Sequence, residues 1–168
     1  MKFLRPLFAS LFVVITGCTP YKPIGQSEAG GHSMQRLAID VFKVNFDANG
    51  FTSPKRASDL AMLRAAEVCM EHGFSMFTIL GQEDRATSET IHTGGTAYST
   101  GYLSSYGTYS GTTSYTSNSF EAYKPGLGLT IKCYTKSPGP HAGKVYLASQ
   151  VAGQLRAQYK IKPQPSAF

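Results

Sequence analysis

Several kinds of functional signal are missing from this sequence. It has no dense run of lysine and arginine of the kind that marks a nucleic-acid-binding surface, although its formal net charge is +6. Two of the positive charges, Lys2 and Arg5, lie in a segment that we expect to be removed. The sequence also lacks an apolar run of about 20 residues, the length that a membrane-spanning helix needs. We therefore expect neither a nucleic-acid-binding protein nor a transmembrane anchor.

Catalytic and metal-binding patterns are missing as well. The four histidines are isolated along the chain, with no two of them three or four residues apart, so we expect no metal site. They are His32, His72, His92 and His141. No Gly-x-Ser-x-Gly elbow is present, and the glycine pairs lack the strand-to-helix context of a phosphate-binding loop. The sequence therefore predicts a non-enzymatic protein without a cofactor and without catalytic residues.

The N-terminus has the layout of an export signal. Residues 1–17 combine a positively charged start with an apolar core, and Thr16-Gly17 stands directly before Cys18. This run resembles the signal of bacterial lipoproteins, in which an aliphatic residue, a small residue and Gly or Ala precede the cysteine. The resemblance implies cleavage before Cys18, which would carry a diacylglycerol and an N-acyl chain. The alternative is an ordinary secretory leader followed by an incidental cysteine.

The residues that follow predict how the mature chain begins. In lipoproteins of Gram-negative bacteria, a residue other than Asp after the cysteine implies transfer to the outer membrane, and here that residue is Thr19. We expect a lipid-anchored protein there, facing the periplasm. Residues 18–35 are rich in proline, glycine and small polar residues, which predicts a flexible tether. Residues 36–160 are expected to form one domain and residues 161–168 a tail.

Hydrophobic periodicity predicts an α+β fold for this domain. Phe42, Val44 and Phe46 alternate with polar residues as in a half-buried strand. A helix should begin at Ser53-Pro54, run to His72 and end at Gly73. Two further strands are predicted over residues 74–80 and 126–134, and a second helix over 144–159. We expect a small sandwich with a three- or four-stranded sheet and two helices on one face, in the order strand, helix, strand, insertion, strand, helix.

The insertion, residues 93–118, consists almost wholly of glycine, serine, threonine and tyrosine. Such a composition buries little aliphatic surface and favours a mobile or irregular loop. The alternative is a long β-hairpin, because a spacing of four would place Tyr98, Tyr102 and Tyr106 on one face of an extended strand. Tyrosines among hydroxyl groups suit glycan stacking or a protein interface. The candidate binding surface comprises Tyr98, Tyr102, Tyr106, Tyr109 and Tyr115.

Two cysteines remain if Cys18 is lipidated. At 100° per residue the predicted helix places Arg64, Glu67 and Glu71 on one side, and Cys69 on the opposite, apolar side. Cys133 has the inward parity of the last strand, so both cysteines should point into the space between helix and sheet. In an oxidising periplasm the two cysteines could form a disulfide, and two buried free thiols are the equal alternative.

Six short stretches of the chain form a recognisable pattern, namely residues 17–21, 42–46, 49–52, 63–67, 73–74 and 124–131. Together they resemble a family of small, uncharacterised Gram-negative outer-membrane lipoproteins with a Ser/Thr/Tyr-rich insertion. The resemblance covers most of the mature chain, but its motifs are structural and imply no activity and no binding residues. Cys69 and Cys133 are not part of the pattern.

These features predict a lipid-anchored interaction or structural module that binds outer-membrane lipid through Cys18 and other envelope proteins through its domain. One alternative is an accessory subunit of an envelope-spanning secretion or transport complex. Another is a glycan- or lipopolysaccharide-binding module that uses the tyrosines and the basic residues late in the chain. Those basic residues are Lys132, Lys136, Lys144, Arg156, Lys160 and Lys162.

Overall fold

The computed structural model describes residues 20–27, 29–139 and 142–162, in which the chain forms seven strands and two helices. The elements are β1 (Gly31–Arg36), β2 (Val41–Asp47), α1 (Pro54–Glu71), β3 (Met76–Asp84), β4 (Thr87–Leu103), β5 (Tyr109–Lys124), β6 (Gly126–Tyr134), β7 (Val145–Leu147) and α2 (Ala148–Tyr159). The predicted signal peptide, Cys18 and the tail beyond Lys162 lie outside the described residues. Neither described helix has the length and apolar content needed to cross a membrane.

The predicted α+β class is confirmed. Five strands form an antiparallel sheet in the order β1-β2-β6-β3-β7, and β4 and β5 form a separate two-stranded sheet. The main sheet has more strands than the three or four predicted. The additional strands are the two edges, β1 and β7, which hydrophobic periodicity does not reveal.

The core lies between the sheet and α1. Phe42, Val44 and Phe46 of β2 are fully buried, as their alternation predicts, and β6 contributes Leu129 and Ile131 to the same layer. Helix α1 covers these strands, and α2 lies against α1 and β7. The opposite face of the sheet carries polar side chains that lie partly in solvent. Both helices therefore lie on one face.

Helix α1 begins and ends as its sequence predicts. The Ser53 side chain accepts a hydrogen bond from the Arg56 backbone N–H at 3.3 Å, and Pro54 occupies the first helical turn. The helix ends at Glu71 with His72 as its C-cap, and Gly73 has a φ of 80°, which is the left-handed conformation that glycine accepts.

The other predicted boundaries shift. Strand β3 continues to Asp84, beyond the predicted end at residue 80, because a register shift between Ile79 and Gly81 lets it keep pairing with β6. Helix α2 begins at Ala148 rather than at residue 144. The three residues before it form β7, which pairs with Met76–Thr78 of β3. Both differences arise from pairing with distant strands.

The prediction of a flexible tether over residues 18–35 is corrected for the described part of that range. Tyr21 is buried, and residues 31–36 form strand β1 against β2. The His32 N–H donates to the Lys22 carbonyl, and the Ile24 N–H donates to the His32 carbonyl, both at 2.9 Å. A Cβ at Gly31 would lie only 2.3 Å from the Lys22 oxygen. Glycine here permits close backbone packing rather than flexibility.

The insertion is a β-hairpin, the second of the two alternatives that its composition leaves open. Strands β4 and β5 pair antiparallel from Thr87↔Lys124 to Leu103↔Tyr109, with one register shift between His92 and Gly95. Residues 104–108 form the turn, in which the Ser104 N–H donates to the Thr108 carbonyl. At about 3.3 Å per residue, the hairpin extends about 50 Å from its base.

Cys69 and Cys133 are joined by a disulfide in the structure. Their Cα atoms lie 5.8 Å apart, within the usual range for this bond. Both side chains are buried, so the bond crosses the core from α1 to the central strand β6. The disulfide is the first of the two alternatives that the sequence leaves open for these inward-facing cysteines.

Candidate functional site

The hairpin displays its tyrosines on two faces and at its tip. Tyr98 and Tyr102 share one face of β4, and about two thirds of each side chain is exposed. Tyr106 does not continue this row, because the strand ends at Leu103 and Tyr106 lies in the turn, where it is 94% exposed. Tyr115 lies on the opposite face, where its ring covers Gly95.

The predicted tyrosine surface is therefore divided. The structure brings together Tyr98 and Tyr102, whose direct neighbours across the hairpin are Ser114 and Ser110. For Tyr109 the structure describes the backbone, which pairs with Leu103. Among the predicted tyrosines whose side chains the structure describes, Tyr98 and Tyr102 thus lie among hydroxyl groups on one face, and Tyr115 lies on the other.

A cleft of about 500 Å³, which no sequence pattern predicts, lies at the base of the hairpin. Ile91 and Phe120, which are directly opposite each other in the hairpin, form part of its wall, and the turn that contains Phe51 forms another part. An ion pair between Lys124 and Glu89 stands beside it. Its apolar residues are single positions in polar stretches, so they give no periodic signal.

A buried polar cluster lies along the C-terminal half of α1. It centres on Glu67, which is only 4% exposed. The Tyr21 hydroxyl donates a hydrogen bond to Glu67 Oε2. Arg156 of α2 donates to Glu67 Oε1 from Nη2 at 2.7 Å and from Nε at 3.2 Å. Arg64 Nη1 lies 3.4 Å from Glu67 Oε2. One carboxylate thus joins the N-terminal segment to both helices.

Opposite charges and hydrogen bonds within the cluster compensate for the cost of burying its charged groups. Arg64 donates to both carboxylate oxygens of Glu71, at 2.6 and 3.0 Å, so the cluster contains two arginines and two glutamates and is neutral as a whole. Burial and the neighbouring Glu67 raise the pKa of the Tyr21 hydroxyl far above its ordinary value. Tyr21 therefore remains a hydrogen-bond donor throughout the physiological range.

The helical period predicts that Arg64, Glu67 and Glu71 share one side of α1, but it does not predict that other parts of the chain cover this side. The cover comes from Tyr21 and Arg156, which stand 46 and 89 residues from Glu67. The available signal was a glutamate between two charged neighbours on a helix side that also contains Leu60. That signal does not identify the partners.

His32 lies next to this cluster and is 4% exposed. The centroid of its ring is 4.7 Å from that of Tyr21, and its Nε2 has no hydrogen-bond partner within the described part of the chain. Burial, reinforced by the positive charge of Arg64, lowers the pKa of His32 to about 4. The imidazole is therefore neutral in the folded protein near neutral pH.

We expect acid to destabilise the fold through His32. The unfolded chain binds a proton below a pKa of about 6.5, whereas the folded chain does so only near pH 4, so stability is lost as the pH falls between these values. The total loss amounts to about 3 kcal/mol. Urea unfolding at pH 7.5, 6, 5 and 4 measures this loss.

Two variants test whether His32 is responsible. His32→Phe should reduce the pH dependence of the free energy of unfolding, and His92→Gln, at an exposed position, should leave it unchanged. An equal pH dependence for His32→Phe and the wild type would contradict the assignment.

The remaining predicted features are dispersed. The described residues contain no group of three or more His, Cys, Asp or Glu side chains that could hold a metal. His72 Nδ1 lies 2.9 Å from the Val68 carbonyl, and His141 lies outside the described residues. Of the late basic residues, Arg156 is bound to Glu67, and Lys132 lies 3.7 Å from Asp40.

The described residues thus contain two candidate sites. One is the exposed hairpin with the cleft at its base, and the other is the buried cluster around Glu67. The hairpin offers contact surface to a partner, whereas the cluster connects parts of the fold. Comparisons with protein-family models, with curated proteins and with solved structures identify no match to this chain.

Proposed function

We propose that this protein is a lipid-anchored interaction module of the outer membrane, which presents the hairpin β4–β5 to other envelope proteins. The observation that carries the proposal is the hairpin itself. Its strands comprise 17 and 16 residues, and the described side chains from Thr87 to Leu103 are all exposed. A segment of this length that contributes so little to the core is best explained by contacts with another molecule.

The hairpin is also suited to a protein partner by its chemistry. Tyrosine provides a large contact area with few rotatable bonds and a hydroxyl for hydrogen bonding, and it is enriched at protein interfaces. Tyr98, Tyr102 and Tyr106 each expose most of their surface. The cleft beside Phe120 adds an apolar recess at the base, where a partner can bury a side chain.

The proposed anchor, Cys18, is close in sequence to the folded part of the chain. Only Thr19 and Pro20 separate Cys18 from the buried Tyr21, and three peptide units span at most about 11 Å. A lipidated Cys18 would therefore hold the domain near the bilayer surface instead of on a long tether. The hairpin, which is about 50 Å long, is the element that extends away from the rest of the domain.

A variant with a shortened hairpin tests this function. His92 and Ser119 lie directly opposite each other, so residues 93–118 can be replaced by Asn-Gly, which suits a two-residue hairpin turn. We expect this variant to remain in the membrane fraction and to lose envelope proteins that co-purify with the full chain from detergent-solubilised membranes. Cys18→Ser should lose lipid label and leave the membrane. An unchanged set of co-purifying proteins with the short hairpin would contradict the proposal.

A glycan-binding module is a second candidate, favoured by the placement of Tyr98 and Tyr102 on one face among hydroxyl groups. Stacking on a sugar ring needs aromatic faces of this kind. Sedimentation with peptidoglycan distinguishes it: Tyr98→Ala with Tyr102→Ala should abolish binding, whereas Tyr115→Ala on the opposite face should retain it. Retained protein partners without any sedimentation would favour the interaction module.

A further inference from the structure

The hairpin β4–β5 has two outer edges that lack a strand neighbour in the described part of the chain. Each edge presents backbone N–H and C=O groups that another strand can pair with. A two-stranded sheet is marginally stable in water, and added strands stabilise it. Both edges are therefore sites at which pairing with a further strand is favourable.

The outer part of the hairpin also lacks the usual protection against such pairing. Natural edge strands are protected by charged residues, by proline or by bulges. Residues 93–118 contain no charged residue and no proline. The register shift between His92 and Gly95 is near the base, and the nine pairs from Gly95↔Ser117 to Leu103↔Tyr109 beyond it are regular.

We propose that this outer part pairs with the same hairpin of a second copy of the chain, with β5 of one copy against β4 of the next. The hairpin itself identifies this occupant, because β4 and β5 already pair antiparallel without interruption from Gly95↔Ser117 to Leu103↔Tyr109. A second β4 would meet in β5 the sequence with which it pairs in its own chain. Since the segment is uncharged, no like-charge repulsion opposes contact between copies.

The choice of unlike edges follows from direction. Antiparallel pairing is the more stable arrangement per residue. In hairpins that point the same way, all β4 strands run in one direction and all β5 strands in the other. Antiparallel pairing between two such hairpins therefore requires that β5 of one lies beside β4 of its neighbour, because two β4 strands or two β5 strands would be parallel. Copies anchored side by side in one bilayer share a direction, and this step rests on the proposed lipid anchor. Such head-to-tail contacts extend into a row or close into a ring.

Pairing would also order the tyrosines. Because side chains alternate between faces with a period of two, Tyr98 and Tyr102 of successive copies would lie on one face of the extended sheet and Tyr115 on the other. Aromatic neighbours across strands stabilise a sheet. The repeated tyrosine rows would give the assembly a broad aromatic face that a single chain lacks.

Sedimentation of the full-length protein in detergent tests for self-association. We expect a mass of at least two chains that rises with concentration, and the mass of one chain for the variant in which Asn-Gly replaces residues 93–118. A full-length protein that sediments as a single chain at all concentrations would overturn the proposal, as would an equal mass for the short-hairpin variant.

Cysteine cross-linking tests which edges meet. Exposed threonines on one face provide the positions: Thr96 and Thr100 on β4, and Thr112 and Thr116 on β5. When chains with one β4 cysteine are mixed with chains with one β5 cysteine, oxidation should give a cross-linked product that neither chain gives alone. Ser149→Cys, exposed on α2, and the unsubstituted chain should give none.

The outcomes separate this proposal from the proposed function. Cross-links only between like positions, or no cross-links at all, would overturn the pairing of unlike edges. If the co-purifying envelope proteins are nevertheless retained, the interaction module stands and self-pairing fails. Cross-links between unlike positions in a protein that binds no other envelope component would support self-pairing and overturn the interaction with other proteins.

Discussion

Replacing both Cys69 and Cys133 with alanine should lower the free energy of unfolding by about 4 kcal/mol. The two cysteines are 64 residues apart in sequence. In the chain-entropy model, closing a loop of this length lowers the conformational entropy of the unfolded chain and so raises its free energy by about 4 kcal/mol. The bond also joins α1 to β6, so its loss affects the layer that holds the core. For a domain of this size, 4 kcal/mol is a large fraction of the total stability.

Urea unfolding of the wild type, with and without a thiol reductant, and of the double variant measures this contribution. The reduced wild type and the double variant should unfold at similar urea concentrations, both well below the oxidised wild type. The variant's smaller side chains leave space in the core, so it should be slightly less stable than the reduced protein. Mass measurement under non-reducing conditions gives the thiol state, and an oxidised protein whose midpoint does not change on reduction would contradict the prediction.

The parts of the fold that the sequence predicts are those with local determinants. Phe42, Val44 and Phe46 alternate because β2 has one covered face, and the boundaries of α1 follow from Ser53, Pro54 and Gly73. Each of these signals acts within a few residues of where it appears in the chain. The same locality explains why the helical period of α1 and the alternation of β6 correctly predict that Cys69 and Cys133 face inward.

The parts that could not be predicted depend on distant partners. Strand β7 has only three residues, too few to show a period, and it exists because β3 pairs with it. The glycine- and proline-rich stretch before β1 reads as a tether, yet hydrogen bonds with His32 and the burial of Tyr21 fix it to the domain. The composition of a segment indicates how flexible its backbone is, but it does not indicate which surface of the domain the segment packs against.

The candidate sites divide in the same way. The tyrosine spacing correctly placed Tyr98 and Tyr102 on one face, but the position of the turn, which removes Tyr106 from that face, depends on how β4 and β5 align. For Glu67 the helical period gave the correct side of α1. Its burial depends on Tyr21 and Arg156, whose contacts with Glu67 no local pattern encodes.

Glu67→Ala is the substitution within the buried cluster with the largest expected effect, a loss of about 3 kcal/mol in the free energy of unfolding. Removing one partner from a buried ionic network leaves the others without compensation, which typically costs about 3–5 kcal/mol. Arg64 keeps Glu71 as a partner, and the Arg156 side chain is about one quarter exposed, so we expect the lower end of this range. Tyr21 would also lose the acceptor for its hydroxyl.

A surface ion pair provides the matched control. Glu83 lies 2.6 Å from Lys43, but its side chain is more than half exposed, so Glu83→Gln should change stability by less than about 0.5 kcal/mol. Tyr21→Phe isolates one contact in the cluster and should cost about 1.5 kcal/mol, as for a hydrogen bond to a charged group. In the Glu67→Ala background the same change should cost much less. Equal losses for Glu67→Ala and Glu83→Gln would show that the cluster contributes no more than a surface pair.

The consequence of losing Glu67 should extend to the N-terminal segment. Tyr21 and the backbone of His32 hold residues 21–24 against the domain, so a weakened cluster should allow this segment to open before the core unfolds. Hydrogen exchange at the Ile24 and His32 amides, both hydrogen-bonded in the structure, should therefore accelerate more in Glu67→Ala than exchange at Phe42 or Ile131 in the central strands. If Cys18 carries the anchor, that opening converts a domain held within about 11 Å of the bilayer into one on a longer, flexible connection. Uniform acceleration at all four amides would instead mean that Glu67 stabilises the fold as a whole and has no separate effect on how the domain is positioned.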